Sequence, residues 1–442
     1  MASKKPSLTP DQLALQEARK VKKAKQNAEA SSPPPSLVDI EKGQIIERKW
    51  IQIKNHEELT GHRARILTWN LLAQCLVRRE LFPNSDCLKA TQREHMLYRE
   101  ILLQNADIIC LQEVDRLEKL LPVLADAGYT SRFASAPGKK HGCLIAFKDY
   151  IEVGARLISY DDEKVRGDGE GVNPRGSSFR TRNIGHVLAL KHSRSGKGII
   201  VATTHLFWHP KYLYEKTRQA AILKREVVQF KSNLGLEDWP CILCGDFNFC
   251  PDDPAYSLMV GDSLLPAQEE KLCSSYVVHA TIDPSIALGA TSQSDDNEED
   301  ADPDKVITNA RSAQPVDGLL SISELHSLFS QSAVSLKSAY DSGLRHLSDG
   351  EKPMRTFGDR VPIGNDRCGA HEPEWSSYTY YWKLVLADYI FILDAPGRHS
   401  VVTGVLSGHC TEDIEPGLPK LGVCGSDHVA LCADVVFVET VG

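Results

Sequence analysis

The sequence predicts an α/β or α+β fold with large, helix-covered sheets in one domain from about residue 45 to 440. Three observations lead there. Short apolar runs of strand character recur along the whole chain, stretches of helical character separate them, and 42% hydrophobic residues in a chain of 442 supply a sizeable core. No internal repeat interrupts the pattern.

Residues 1–44 stand apart as a basic tail, helical or disordered: residues 1–30 carry seven Lys/Arg against three Asp/Glu, and Ser-Ser-Pro-Pro-Pro follows. "RARILTWNLLA" (63–73) and "ADIICLQEV" (106–114) then read as buried strands flanking the helical "ATQREHMLYREILLQ" (90–104), and a further helix is expected at 115–127. "HGCLIAFK", "IGHVLALKH" and "GKGIIVATTHL" read as strands, the last two joined by the turn-like "SRSGKG" into an antiparallel hairpin. A long helix at 211–234 leads into "WPCILCGDFN". A disordered acidic insertion is expected at about 285–312, around "TSQSDDNEEDADPDK", and "LVLADYIFIL", "VVTGVL" and "DHVALCADVVFV" supply three more strands.

No run of eighteen apolar residues and no basic-then-apolar leader occurs, so a cytoplasmic or nuclear protein without a membrane span is expected. A net charge of −8 argues against coating nucleic acid by charge alone, although it leaves room for a local basic groove. In a reducing compartment the twelve cysteines should be free thiols. Cys241 and Cys244 form a C-x-x-C, but residues three apart on a strand point to opposite faces and cannot chelate one ion. If the strand continues through Gly245, its period of two puts Asp246 and Asn248 on one face and Phe247 on the other.

Several apolar strands end in polar residues that a core cannot use: Asn70, Glu113, His205, Asp246 with Asn248, Asp388, and Asp427 with His428. Each alone has a structural explanation, as a cap, a surface carboxylate or a hydrogen-bonded histidine. Together they can converge, because sites in sheet-based folds gather where strands end. Such a set suits metal-assisted phosphodiester hydrolysis, since carboxylate and amide oxygens are hard ligands for Mg²⁺, with Mn²⁺ as a substitute. Glu113 is the candidate ligand, Asp246 the group that positions or deprotonates water, and Asn70 and Asn248 the phosphate donors. His428 is the donor to the transition state, oriented by Asp388.

The phrases "WNLLA", "LQEV", "THLFWHP", "GDFN", "ADYIF" and "SDH", in this order, resemble the endonuclease/exonuclease/phosphatase superfamily, and within it the deadenylase-like exoribonucleases that include nocturnin, Angel and the fungal Ngl RNA exonucleases. The resemblance spans about residues 45–440. It implies a four-layered α/β sandwich of two central mixed sheets and Mg²⁺-dependent 3′→5′ removal of nucleotides from a single-stranded RNA end by a monomer; it leaves protein partners open. It further implies that Asp427 contributes to a metal site, that His205 lies near the scissile phosphate, and that Asn183 in "RTRNIGHVLAL" is the family's polar residue at that strand start. Trp208, Pro210 and Trp382 would stack on substrate bases, with packing as the alternative for both tryptophans. The stretch from Trp382 to Asp388 is one residue longer than the family pattern. No leucine-rich repeat precedes the catalytic region, which fits a free-standing member. The same core could act instead on abasic DNA, an inositol phosphate, sphingomyelin or a nucleotide cofactor phosphate, or be a silent RNA-binding scaffold.

Overall fold

A computed structural model describes residues 42–54, 59–167, 173–209, 212–286, 309–331, 334–347, 354–364 and 366–439. The basic tail up to residue 41, most of the acidic insertion (287–308) and Pro210 lie outside the described residues.

Among the described residues, fifteen strands run in chain order as β1 (Trp50–Gln52), β2 (Gly61–Asn70), β3 (Ile108–Val114), β4 (Thr130–Ala134), β5 (Gly142–Phe147), β6 (Tyr150–Ser159), β7 (Ile184–His192), β8 (Gly198–His205), β9 (Cys241–Asp246), β10 (Val277–His279), β11 (Ala310–Ser312), β12 (Lys337–Ser338), β13 (Asp388–Leu393), β14 (Arg398–Leu406) and β15 (Leu431–Glu439). One sheet has the order β1-β14-β15-β2-β3-β5-β4 and a second β12-β13-β9-β8-β7-β6. Both are mixed: β2 and β3 are parallel in the first and β8 and β9 in the second, while their other pairings are antiparallel.

The apolar runs explain the layering. Ile66, Ile108, Ile145, Leu188, Val201, Ile242 and Ile390 meet in a core between the two sheets. The opposite face of the six-stranded sheet packs on the Leu213–Asn233 helix through Val187, Ile200, Leu243 and Phe391. That of the seven-stranded sheet packs on the Ala90–Leu103 and Leu117–Asp126 helices through Leu67, Ile109 and Leu144. Helix, sheet, sheet, helix is the expected four-layered α/β sandwich, and strands buried on both faces read as continuous apolar runs for that reason.

Cys241 faces the helix layer and Cys244 the inter-sheet core, as the period of two requires. The strand itself stops at Asp246, against the expectation that it carries Asn248 on the same face. Gly245 holds φ +144°, and a β-carbon there would lie 2.1 Å from Thr204 O, so glycine lets β8 approach. The expected acidic insertion also ends earlier than 312, because Ala310–Ser312 pairs antiparallel with Val277–His279.

Candidate active site

Strand direction brings the polar residues together. The parallel pairs β2/β3 and β8/β9 end on the same side, with Asn70 opposite Gln112 and His205 opposite Asp246. Antiparallel β13 starts there, with Asp388 opposite Asp246. The Asp427–His428 turn leads back into β15 next to β2.

Asn70 Nδ2 donates to Glu113 Oε1 at 3.0 Å and to Asp246 Oδ2 at 2.9 Å, while its Oδ1 accepts from Leu72 N. Both of its N–H bonds are therefore used in clamping two carboxylates from different sheets. Glu113 holds φ +55°, a left-handed conformation at the register shift between Leu111 and Val114 of β3, and its Oε2 accepts from Ala73 N at 2.8 Å. Burial alone would raise the Glu113 carboxyl, but the His205 and His141 imidazoles and these hydrogen bonds outweigh it and hold the pKa below the ordinary carboxylate value. Glu113 is thus an anionic oxygen donor.

Asp246 is buried between two imidazoles, with Oδ2 at 3.6 Å from His205 Nε2 and 3.7 Å from His428 Nε2. Its Oδ1 accepts from Asn248 N at 3.0 Å. Asn248 reaches this position through φ +55°, and its side chain donates to Leu206 O at 3.1 Å. Asn183 Nδ2 donates to His205 O at 2.7 Å and fixes the β8 terminus, while its Oδ1 is buried with no partner among the described residues.

His428 Nδ1 lies 2.7 Å from Asp388 Oδ2, which also accepts from Ser376 Oγ at 2.7 Å. A carboxylate and an imidazole this close share one proton, and we place it on His428: burial disfavours its charge, but Asp388 and Asp246 outweigh that and raise its pKa well above the ordinary value. Burial pushes the neighbouring Asp427 carboxyl up to about 6, against the pull of His428.

Acceptor atoms of Asp246, Asp388 and His428 approach one another within 4.8 Å, close enough to surround a metal ion. The hydrogen bond between Asp388 Oδ2 and His428 Nδ1 leaves Asp388 Oδ1 and His428 Nε2 as the atoms of that pair outside it. Each Glu113 oxygen keeps a lone pair beyond its one hydrogen bond, which is the chemistry a hard divalent cation needs in a ligand.

Trp208 and Trp382 are 37% and 58% exposed, so neither is a core residue. Trp382 sits on a tight turn, its backbone N–H donating to Thr379 Oγ1 at 2.8 Å, and Tyr378 N of the same loop donates to Asp427 O at 3.0 Å. Sequence reasoning missed Ser376, which no pattern marks, and His141, whose ring lies 6.5 Å from that of His205. His141 stands next to an apolar strand, the signal that found the other residues.

Two helix-backed sheets with carboxylates, amides and imidazoles at the same strand ends form the frame of a hydrolytic enzyme. Residues 67–428 match the model of the Endonuclease/Exonuclease/phosphatase family, and the chain belongs to that family and with it to the enzymes that hydrolyse phosphoesters. It is similar to RNA exonuclease NGL2 of Saccharomyces cerevisiae, 30% identical over 430 residues that span 88% of this chain and 77% of that one. It is also similar to the probable RNA exonuclease NGL3 of the same yeast, 26% identical over 485 residues, 96% of this chain and 90% of that one. Its fold is similar to that of ANGEL2, described as a 2′,3′-cyclic phosphatase in complex with adenosine-2′,3′-vanadate, with a TM-score of 0.57 at 21% identity over 89% of this chain and 99% of that one. Among the described residues no helix is long and apolar enough to cross a membrane.

Proposed function

We propose that the protein is a Mg²⁺-dependent 3′→5′ exoribonuclease that releases nucleoside 5′-monophosphates from a single-stranded RNA end. The similarity to the RNA exonuclease NGL2 over 88% of the chain supports RNA as substrate. The observation that carries the chemistry is Asp246, held by Asn70 and flanked by two imidazoles.

In this reading Glu113, with Asp427 beside it, holds the cation. When bound, the cation polarises a phosphoryl oxygen and neutralises charge on the departing 3′ oxygen. Asp246, its other oxygen fixed by Asn248 N, accepts the proton of the attacking water, so that a water–phosphorus bond forms as the bond to the 3′ oxygen breaks. His428, its Nδ1 occupied by Asp388, offers Nε2–H to a non-bridging phosphate oxygen whose charge grows in the transition state. His205 borders the same phosphate. Trp208 and Trp382 stack on bases, worth about 1–3 kcal/mol each.

The test presents 5′-labelled oligoadenylate, a mixed-sequence RNA, abasic duplex DNA and inositol phosphates to the full chain, with and without Mg²⁺. A ladder of RNAs shortened from the 3′ end, only with Mg²⁺ and with 5′-monophosphates released, is the expected result. Intact RNA beside cleavage of another phosphoester would move the substrate assignment. No turnover of any substrate would point to a silent scaffold.

A further inference from the structure

Two loops from different sheets meet beside the site. The turn from Ala134 to His141 joins β4 to β5 and delivers Gly142 opposite Val114, the neighbour of Glu113. The segment entering β7 ends at Asn183, which is bonded to His205. A β-carbon on Gly138 of the turn would lie 3.4 Å from Arg182 Nη1, so the guanidinium rests on that turn and bridges the two sheets. Lys139 and Lys140 follow Gly138 directly.

The backbone that carries the guanidinium is held in place. Arg182 sits at φ +54°, a conformation that an arginine seldom adopts. Asp161 accepts from Thr181 N at 3.1 Å and from Arg182 N at 2.9 Å. On the Leu213–Asn233 helix, buried Gln219 donates to Thr181 Oγ1 at 2.9 Å and buried Glu215 accepts from Ser178 N at 2.9 Å. Thr181 is buried, whereas Arg180 and Arg182 on either side of it are exposed. Among the described residues neither guanidinium is held in an ion pair. A chain of net charge −8 thus places two guanidiniums on the segment that ends at Asn183, which is bonded to His205.

We propose that Arg180 and Arg182, with Lys139 on the facing turn, form a track that holds backbone phosphates of RNA on the 5′ side of the scissile bond. The proposal rests on the exoribonuclease reading above. Guanidinium groups take phosphate oxygens in bidentate fashion, which favours a polyanionic strand over a folded protein partner. The track would make long RNA a better substrate than a dinucleotide and make its binding salt-dependent.

The test compares KM and kcat for the dinucleotide ApA and a twelve-nucleotide oligoadenylate across a salt series, with Mg²⁺ and the full chain. Arg182→Asn is the informative change, since asparagine tolerates the left-handed backbone, and it is combined with Arg180→Ala. The pair should raise KM for the long RNA about tenfold and flatten the salt dependence by about 0.7 per charge removed. The KM for ApA should move less than about twofold. Arg182→Lys should keep most of the salt slope, and Arg194→Ala, on the exposed turn at the far end of β7, should change neither. An equal loss on both substrates, or an unchanged slope, would overturn the track. Anisotropy of a labelled twelve-nucleotide RNA in EDTA reads the same surface without turnover. If the wild type binds there and the Arg pair weakens it while no RNA is cleaved in the Mg²⁺ assay, the exonuclease reading fails and the track stands; unchanged binding removes the track alone.

Discussion

Asp388 and His428, forty residues apart, meet with Oδ2 and Nδ1 2.7 Å apart, and Asp388 is at the same time the strand partner of Asp246. One carboxylate therefore orients the imidazole while its backbone fixes the carboxylate proposed to act on water.

Replacing Asp388 by Asn leaves Ser376 and the fold in place but presents an amide to His428 Nδ1. We expect kcat on RNA to fall by about 10²-fold or more, in the range of general acid–base contributions. The melting temperature should drop by only a few degrees. A wild-type kcat would remove His428 orientation from the mechanism.

Glu113→Gln and Asp246→Ala should both abolish turnover for different reasons. Glu113→Gln should also abolish the rise in melting temperature on adding Mg²⁺, because it removes an anionic ligand. Asp246→Ala should retain part of that rise. Calorimetry or thermal shift with Mg²⁺ separates the two, and equal retention in both would shift the cation away from Glu113.

Trp208→Ala should weaken turnover of oligoadenylate by about 1–3 kcal/mol in kcat/KM, the value of one stacked base. Hydrolysis of a small model phosphodiester should change less. Equal losses on both substrates would make Trp208 a packing residue.

Gly245→Ala tests the junction of β8 and β9. With its β-carbon 2.1 Å from Thr204 O at φ +144°, alanine must push the strands apart. A cost of about 3 kcal/mol is expected in urea denaturation, from overpacking together with backbone strain. Activity should fall with it, since Asp246 is the next residue.

Glu372 offers a pH test away from the site. It is fully buried, accepts from Tyr256 OH at 2.8 Å, and burial, with Asp341 nearby, pushes its pKa from the ordinary 4.5 up to about 8. The folded state therefore holds a proton that the unfolded chain gives up between those values, so this group's contribution to stability is complete at low pH and is lost as pH rises from 4.5 towards about 8. Glu372→Gln should flatten stability against pH in that window. An unchanged slope would mean that Glu372 is ionised in the folded protein.

The comparison of sequence with structure turns on the range of each interaction. Asn70, Glu113, His205, Asp246, Asp388 and His428 were legible because a polar residue at the end of an apolar run is a local anomaly, readable within a few neighbours. The opposite faces of Cys241 and Cys244 were legible for the same reason, since the period of two is a property of the strand alone. The strand β6 was missed because its alternating, half-exposed pattern gives no continuous apolar run. Tertiary structure alone decided that Asn70 clamps Glu113 and Asp246 together, that Asn248 turns back through a positive φ, and that Ser376 holds Asp388. Those contacts depend on which strands lie side by side and in what register, and Asn70 and Asp246 are separated by 176 residues. A local pattern marks the residues that gather; only the packed sheets determine which atom meets which.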